Sequence, residues 1–168
     1  MGALNGIRIL DLSRILAGPW ATQMLADLGA DVVKIEADWG DDTRKWGPPF
    51  IGDDAAYFHA CNRGKRSAIL DLKSEDGIQL LHRLINCADV IVENFRAGTL
   101  EKLGVDEHVF EGKILCRITG YGQTGPRASE PGYDLALQAM TGIMSVTGSA
   151  DGEPAKVGVA WIDVLTGM

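Results

Sequence analysis

Apolar residues along this chain follow two alternating rhythms. Short unbroken aliphatic runs are each followed by a segment in which apolar side chains recur every three or four positions. IRILDLS (residues 7–13) has the first character and predicts a buried strand. WATQMLADLG then sets Trp20, Met24, Leu25 and Leu28 on one helical face, with Pro19 suited to the first turn and Gly29 to the C-terminal stop. VVKIE (32–36), SAILDL (67–72), VIVENF (90–95) and ILCRITG (114–120) predict four more strands. Between the third and fourth, Ser74 is placed to cap a helix whose apolar stripe is Ile78, Leu81, Leu84 and Ile85. TLEKLG predicts a short helix, and a last one starts near Tyr133 with Leu137, Met140 and Met144 along one side. The Gly-, Pro- and Asp-rich stretch 37–57 is too long for a simple turn and reads as a binding loop, a lid or a disordered segment.

Strand–helix alternation of this kind predicts a Rossmann-like α/β fold, a mostly parallel sheet with helices on both faces. No repeat, low-complexity tract or domain boundary interrupts it. Ligands of such sheets gather beyond the carboxyl ends of the strands. Five stretches fall there: Arg14 to Gly18, Leu70 to Lys73, Glu93 to Arg96, Thr119 to Gly122, and Asp163 after the apolar VGVAWI, read as a strand end.

Composition narrows the partners. The chain has 168 residues, 46% hydrophobic and 23% charged, as expected of a soluble globular domain with a real core. A net charge of −7 argues against nucleic acid and anionic membranes, so an anionic ligand would need a local cluster of cations. Cys61, Cys87 and Cys116 share no close spacing, which argues against a zinc site or a disulfide framework and fits a reducing cytoplasm. The N-terminus lacks a signal-peptide pattern, Gly6 stands where myristoylation wants Ser or Thr, and no apolar run approaches ~18 residues.

The first strand–helix turn, LAGPW, is not the glycine fingerprint of a dinucleotide site, and Walker A is absent. Arg63, Lys65, Arg66 and Lys73 cluster in NRGKRSAILDLK, either as a solvated loop or as a phosphate clamp. Asn94, Arg96 and Lys102 add polar groups near another strand exit. GYGQTGPRASEPGYD is a turn-rich connector or a mobile loop over a ligand. His59, His82 and His108 lie far apart in ordinary settings. Asp163 is either a helix cap or a base or nucleophile, and spacing alone does not choose.

Taken in order, IRILDLSRILAGPWATQMLADLGADVVKIE, RGKRSAILDLK, ADVIVENFRAGTLEKLG, ITGYGQTGP, GYDLALQAMTGIMSVTG and VGVAWIDVLTG resemble the class III CoA-transferase (CaiB/BaiF) family from about Gly6 to the end. The resemblance implies an intracellular enzyme longer than this chain, built from two interlocked subunits, of which residues 1–168 are the N-terminal part. It implies coenzyme A or acyl-CoA as substrate, with a small carboxylic acid and no tightly bound cofactor or metal. Dicarboxylic acids such as succinate are a common theme of the family. Asp163 stands where the family has its covalent nucleophile. The implied CoA contacts are Leu16, Ala17, Leu70, Asp71, Leu72, Lys73, Asn94, Phe95, Arg96, Lys102, Thr119, Gly120, Tyr121 and Gly122. Ala37 and Thr119 depart from relatives that carry basic residues there, which sends the phosphate contacts partly to Arg44, Arg66 or Lys73. The racemase branch pairs its aspartate with a histidine where this chain has Tyr133. A phenol, with an ordinary pKa near ~10, is a poor partner for proton exchange at neutral pH. Acyl-CoA:carboxylate CoA transfer is therefore the leading expectation; α-methylacyl-CoA racemisation, or a CoA-binding fragment without turnover, are the alternatives.

Overall fold

The computed structural model describes residues 2–168. All five predicted strands form, as β1 (Arg8–Asp11), β2 (Asp31–Glu36), β5 (Arg66–Ile69), β6 (Val90–Glu93) and β7 (Ile114–Arg117). Four of them stop two or three residues before their apolar runs do. Carboxylates at the exits are one cause. Asp11 accepts the N–H of Ser13 (2.9 Å), Glu93 that of Phe95 (2.6 Å) and Asp71 that of Lys73 (2.9 Å). Each such bond offers the backbone a local partner in place of the next strand.

The five strands pair in parallel in the order β5-β2-β1-β6-β7. The order reverses between β1 and β6, which opens a crevice beyond their carboxyl ends. Side chains alternate across the pleat. Leu10, Ile35 and Ile91 pack against Leu81 and Ile85 of α3 (Glu75–Cys87), with Leu100, Val105 and Phe110. On the other face Ile9, Val32 and Val92 meet Leu25 and Ala26 of α1 (Ala17–Asp27). Helices on both faces are thus borne out.

Ser74 caps α3 as expected, its hydroxyl accepting the Gly77 N–H at 3.0 Å. Helix α1 ends at Gly29 (φ +104°), whose left-handed turn lets Ala30 N–H reach Leu25 O and Gly29 N–H reach Ala26 O. Its deepest face differs from the expected one. Thr22 and Gln23 are buried, whereas Leu28 is 50% exposed. The reason is polar: Thr22 donates to Asp11 (2.6 Å) and Gln23 accepts from Arg63 N–H (2.7 Å).

The stretch 37–57 is not one loop. It holds a 3-10 turn (Asp42–Lys45), a hairpin of β3 (Phe50–Ile51) and β4 (Asp54–Ala55), and the start of α2 (Ala56–Asn62). Helix α4 (Thr99–Lys102) matches TLEKLG. Helix α5 (Asp134–Met140) starts beside Tyr133 as expected but ends before Met144, because Gly142 (φ +81°) breaks it and a separate 3-10 turn (Ile143–Val146) follows. VGVAWI forms no strand; Asp163 is the third residue of α6 (Trp161–Gly167). No helix among the described residues is long and apolar enough to cross a membrane.

Candidate functional site

The crevice between β1 and β6 is built on buried charge. Lys65 donates to Asp11 (2.9 Å), to Pro19 O (2.9 Å) and to Asn62 (2.8 Å). Lys34 pairs with Asp41 (3.0 Å) and donates to Ser13 O (2.7 Å). Burial pushes Asp11 toward protonation, but Lys65, Lys34, Ser13 and Thr22 together hold it below the ordinary carboxylate range. These groups fix the exit of β1. There Asn94 accepts Arg14 N–H (2.8 Å) and donates to Arg14 O (2.7 Å), tying the exits of β1 and β6 together.

Two cavities open along this seam. The smaller, about 270 Å³, is walled by the ends of β1, β2 and β5, with Leu12, Ile35, Trp39, Leu70, Leu72 and Leu103 supplying apolar surface. Lys73 stands at its edge, its Nζ 6.0 Å from the Trp39 ring centroid. The larger, about 660 Å³, contains Asp163. Arg14, Phe95 and Thr99 line both, so the two share a wall. Gly120 and Gly132 let two loops touch on the larger cavity: a Cβ on either would collide with the other's Cα.

Asp163 is held by α5. The Asp134 carboxylate accepts the N–H groups of Ile162 (2.7 Å) and Asp163 (3.3 Å), capping α6 from outside its own chain segment. Buried Gln138 donates to Asp134 (2.6 Å) and to Val159 O (3.2 Å), and accepts from Val157 N–H (2.8 Å). Capping is therefore done by Asp134, and Asp163 is not needed for it. The Asp163 carboxylate has no hydrogen bond or ion pair among the described residues. Burial, with Asp134 adding, pushes it up to about 6. At neutral pH this is an ionised carboxylate more basic than usual, a stronger nucleophile facing a cavity.

The other expected positions divide. Leu16, Ala17, Asn94, Phe95, Arg96, Thr119 and Gly120 line the cavity of Asp163. Leu70, Asp71, Leu72 and Lys73 line the smaller one. Lys102, Tyr121 and Gly122 line neither. Tyr121 instead lies under the Arg127 guanidinium (3.9 Å) and donates to Met140 Sδ (3.3 Å). Three of the four clustered cations are engaged within the chain. Arg63 pairs with Asp27 (2.6 Å), Arg66 with Asp31 (2.7 Å), and Lys65 is buried. Arg44 is bound by Glu36 (2.6 Å) and Asp54 (2.6 Å). Lys73 and Lys102, the two lysines suggested for the 3′-phosphate, have no ion pair among the described residues, and of the two only Lys73 lines a cavity. Tyr133 is 65% exposed at the rim of the larger cavity.

Several residues of the site carried no individual signal. Trp46 lines the larger cavity and meets Tyr57 edge-on at 5.4 Å. The Tyr57 phenol is pushed up to about 12 by burial, then by Cys61 and Asp163. Asp134 and Gln138 did leave a trace: two polar residues four apart in the otherwise apolar DLALQAM.

Residues 4–168 match CoA-transferase family III. The chain belongs to that family. It is 53% identical to a succinate–glutarate CoA-transferase of Agrobacterium fabrum, over 98% of this chain and 44% of that protein. It is 46% identical to a succinyl-CoA:glutarate CoA-transferase of Mus musculus, over 100% of this chain and 40% of that protein. A crystal structure of a CaiB/BaiF family protein from Brucella suis superposes with a TM-score of 0.94 at 52% identity, over 99% of this chain and 46% of that one. The chain thus spans less than half the length of these CoA-transferase III relatives.

Proposed function

We propose that this chain is the N-terminal, CoA-binding and nucleophile-bearing part of an acyl-CoA:carboxylate CoA-transferase. The observation that carries the reading is Asp163: its carboxylate has no polar partner among the described residues, and it faces a cavity that shares a wall with a second one. The smaller cavity, apolar around Trp39 with Lys73 at its edge, suits the adenosine end of CoA and a phosphate. Leu16, Ala17, Phe95 and Gly120 then line the way toward Asp163.

In the proposed reaction a carboxylate oxygen of Asp163 attacks the thioester carbonyl carbon. The C–S bond breaks, leaving an acyl-aspartyl anhydride and CoA thiolate. The thiolate attacks the Asp163 carbonyl of the anhydride and releases the donor acid as a carboxylate, giving an aspartyl-CoA thioester. The acceptor acid's carboxylate attacks that thioester and regenerates thiolate and a mixed anhydride. Thiolate attack on the acceptor's acyl carbon yields the new acyl-CoA and free Asp163. Each intermediate is open to hydrolysis, so water must be kept out. The half-buried setting of Asp163 serves this.

The relatives' names point to succinate- and glutarate-sized dicarboxylic acids as donor and acceptor. The complete protein would work as an interlocked homodimer in the cytoplasm. Incubating it with succinyl-CoA and reading intact mass tests the mechanism. A CoA or succinyl adduct on the Asp163 peptide is expected, with CoA passing to labelled glutarate and no solvent deuterium entering the acyl α-carbon. Rapid α-exchange without an acceptor would favour the racemase reading instead.

A further inference from the structure

Among the described residues Ile15 is the only non-glycine with a left-handed backbone (φ +71°). For a β-branched side chain this conformation is a genuine outlier, and it persists only where its surroundings over-determine it. Here they do. Asn94 grips both backbone polar groups of Arg14, at 2.8 Å and 2.7 Å. Lys34 holds Ser13 O at 2.7 Å, and Asp41 accepts the Ile15 N–H at 3.3 Å. Asp41 is itself fixed by Lys34 (3.0 Å) and by bonds from the N–H and hydroxyl of Thr43 (3.0 and 2.8 Å). The turn lies where the cavities share Arg14, and its next two residues, Leu16 and Ala17, face Asp163's cavity.

We propose that Asn94 is a positioning residue: by clamping Arg14 it holds the strained Ile15 turn, and through it the wall along which acyl-CoA reaches Asp163. This rests on the CoA-transferase reading and replaces a direct CoA contact by Asn94, since both ends of its amide are engaged by Arg14. Released from the clamp, Ile15 relaxes toward negative φ and draws Leu16 and Ala17 out of register. Glycine at the same position adopts positive φ without that penalty, so the turn no longer needs its clamp.

The test is a double-mutant cycle in the complete protein, read in CoA affinity by calorimetry and in kcat/KM for succinyl-CoA. With Ile15 in place, Asn94→Ala is expected to lower kcat/KM by at least about 10-fold, the scale that misplacement of a reactant produces. In an Ile15→Gly background the same change is expected to cost less than about threefold, a coupling typical of groups acting through one element. Asn94→Asp keeps the acceptor for Arg14 N–H and loses the donor to Arg14 O. Its loss is expected to be intermediate and likewise rescued by Ile15→Gly, which keeps the test decisive if Asn94→Ala folds poorly. Equal losses in both backgrounds would overturn the proposal and make Asn94 a ligand contact. Calorimetry needs no turnover, so the role of the turn is decided separately from the transferase reading.

Discussion

The two cavities are made differently. The smaller is framed mainly by the exits of β1, β2 and β5, which the sheet places, with Trp39, Phe95 and Leu103 closing it. The larger depends on loops and two short helices, α5 and α6, held by side-chain bonds from Asp134 and Gln138. One rests mainly on backbone ladders; the other is assembled by a few polar side chains. A binding site tolerates the first kind of construction. A nucleophile that must stay ionised, unpaired and sheltered needs the second, because every nearby polar group has to be occupied elsewhere.

The largest expected effect separates the two cavities by chemistry. Asp163→Ala should lower CoA transfer by ~10⁶-fold and abolish the covalent adduct, the scale on which loss of a nucleophile is felt. CoA affinity should change little, since the carboxylate is proposed to react with the thioester rather than to hold CoA. Calorimetry beside a transfer assay checks this; a matched loss of binding would merge the two roles.

Next comes the charge network beneath both cavities. Lys65→Met leaves Asp11 buried without its partner, which should cost about 3–5 kcal/mol in chemical denaturation. Arg66→Ala removes an exposed pair with Asp31 and should leave the midpoint almost unmoved. Comparable losses from both would mean that burial is not what makes the Lys65 pair matter.

This contrast also marks how far the sequence could be read. Strands announced themselves as aliphatic runs, and α3 by Ser74 and its stripe, because those signals are local. Lys65 and Arg66 are neighbours in one basic run, yet one is buried on Asp11 and the other paired at the surface. Nothing local tells them apart; the partner comes from a strand far away in sequence. The strand reading of VGVAWI fails for the same reason. VGVAWI has strand-like composition, but α6 begins within it at Trp161, and that helix is capped by Asp134, 29 positions before Asp163. Helix α2 hid in a polar stretch because its seven residues hold only Phe58 and Cys61 as buried apolar anchors. Asp163 and much of both cavity walls are among the residues the family resemblance implies, but Lys102, Tyr121 and Gly122, implied with them, line neither cavity.

A milder probe sharpens the smaller cavity. Lys73→Ala should weaken CoA by about 10-fold while leaving dephospho-CoA nearly unchanged if its ammonium meets the 3′-phosphate, as a charge-assisted bond would. At saturating acyl-CoA the rate of adduct formation on Asp163 should be preserved. Equal weakening of both ligands would move Lys73 away from that phosphate.

The smallest effect concerns stability and runs opposite to activity. Asp163 has a folded pKa of about 6, raised by burial and by Asp134. In the unfolded chain an aspartate titrates near ~3.9. Between those values the folded state holds a proton that the unfolded state has released, so stability falls as pH rises from about 4 to about 6 and then levels off. Above pH 6 the ionised carboxylate carries its full cost, and Asp163→Asn, which cannot ionise, escapes it. Two pKa units would set an upper bound near ~2.7 kcal/mol; the partly solvated side chain reduces this to about 1 kcal/mol. Asp163→Asn should therefore be more stable than the parent at pH 7.5 and no more stable at pH 4, while losing transfer at both. Transfer by the parent should itself decline as pH falls through 6, because a protonated Asp163 cannot attack. Denaturation curves across that range check the sign. A stability gap that stays constant from pH 4 to 8 would show that ionisation of Asp163 is not what the fold is spending energy on.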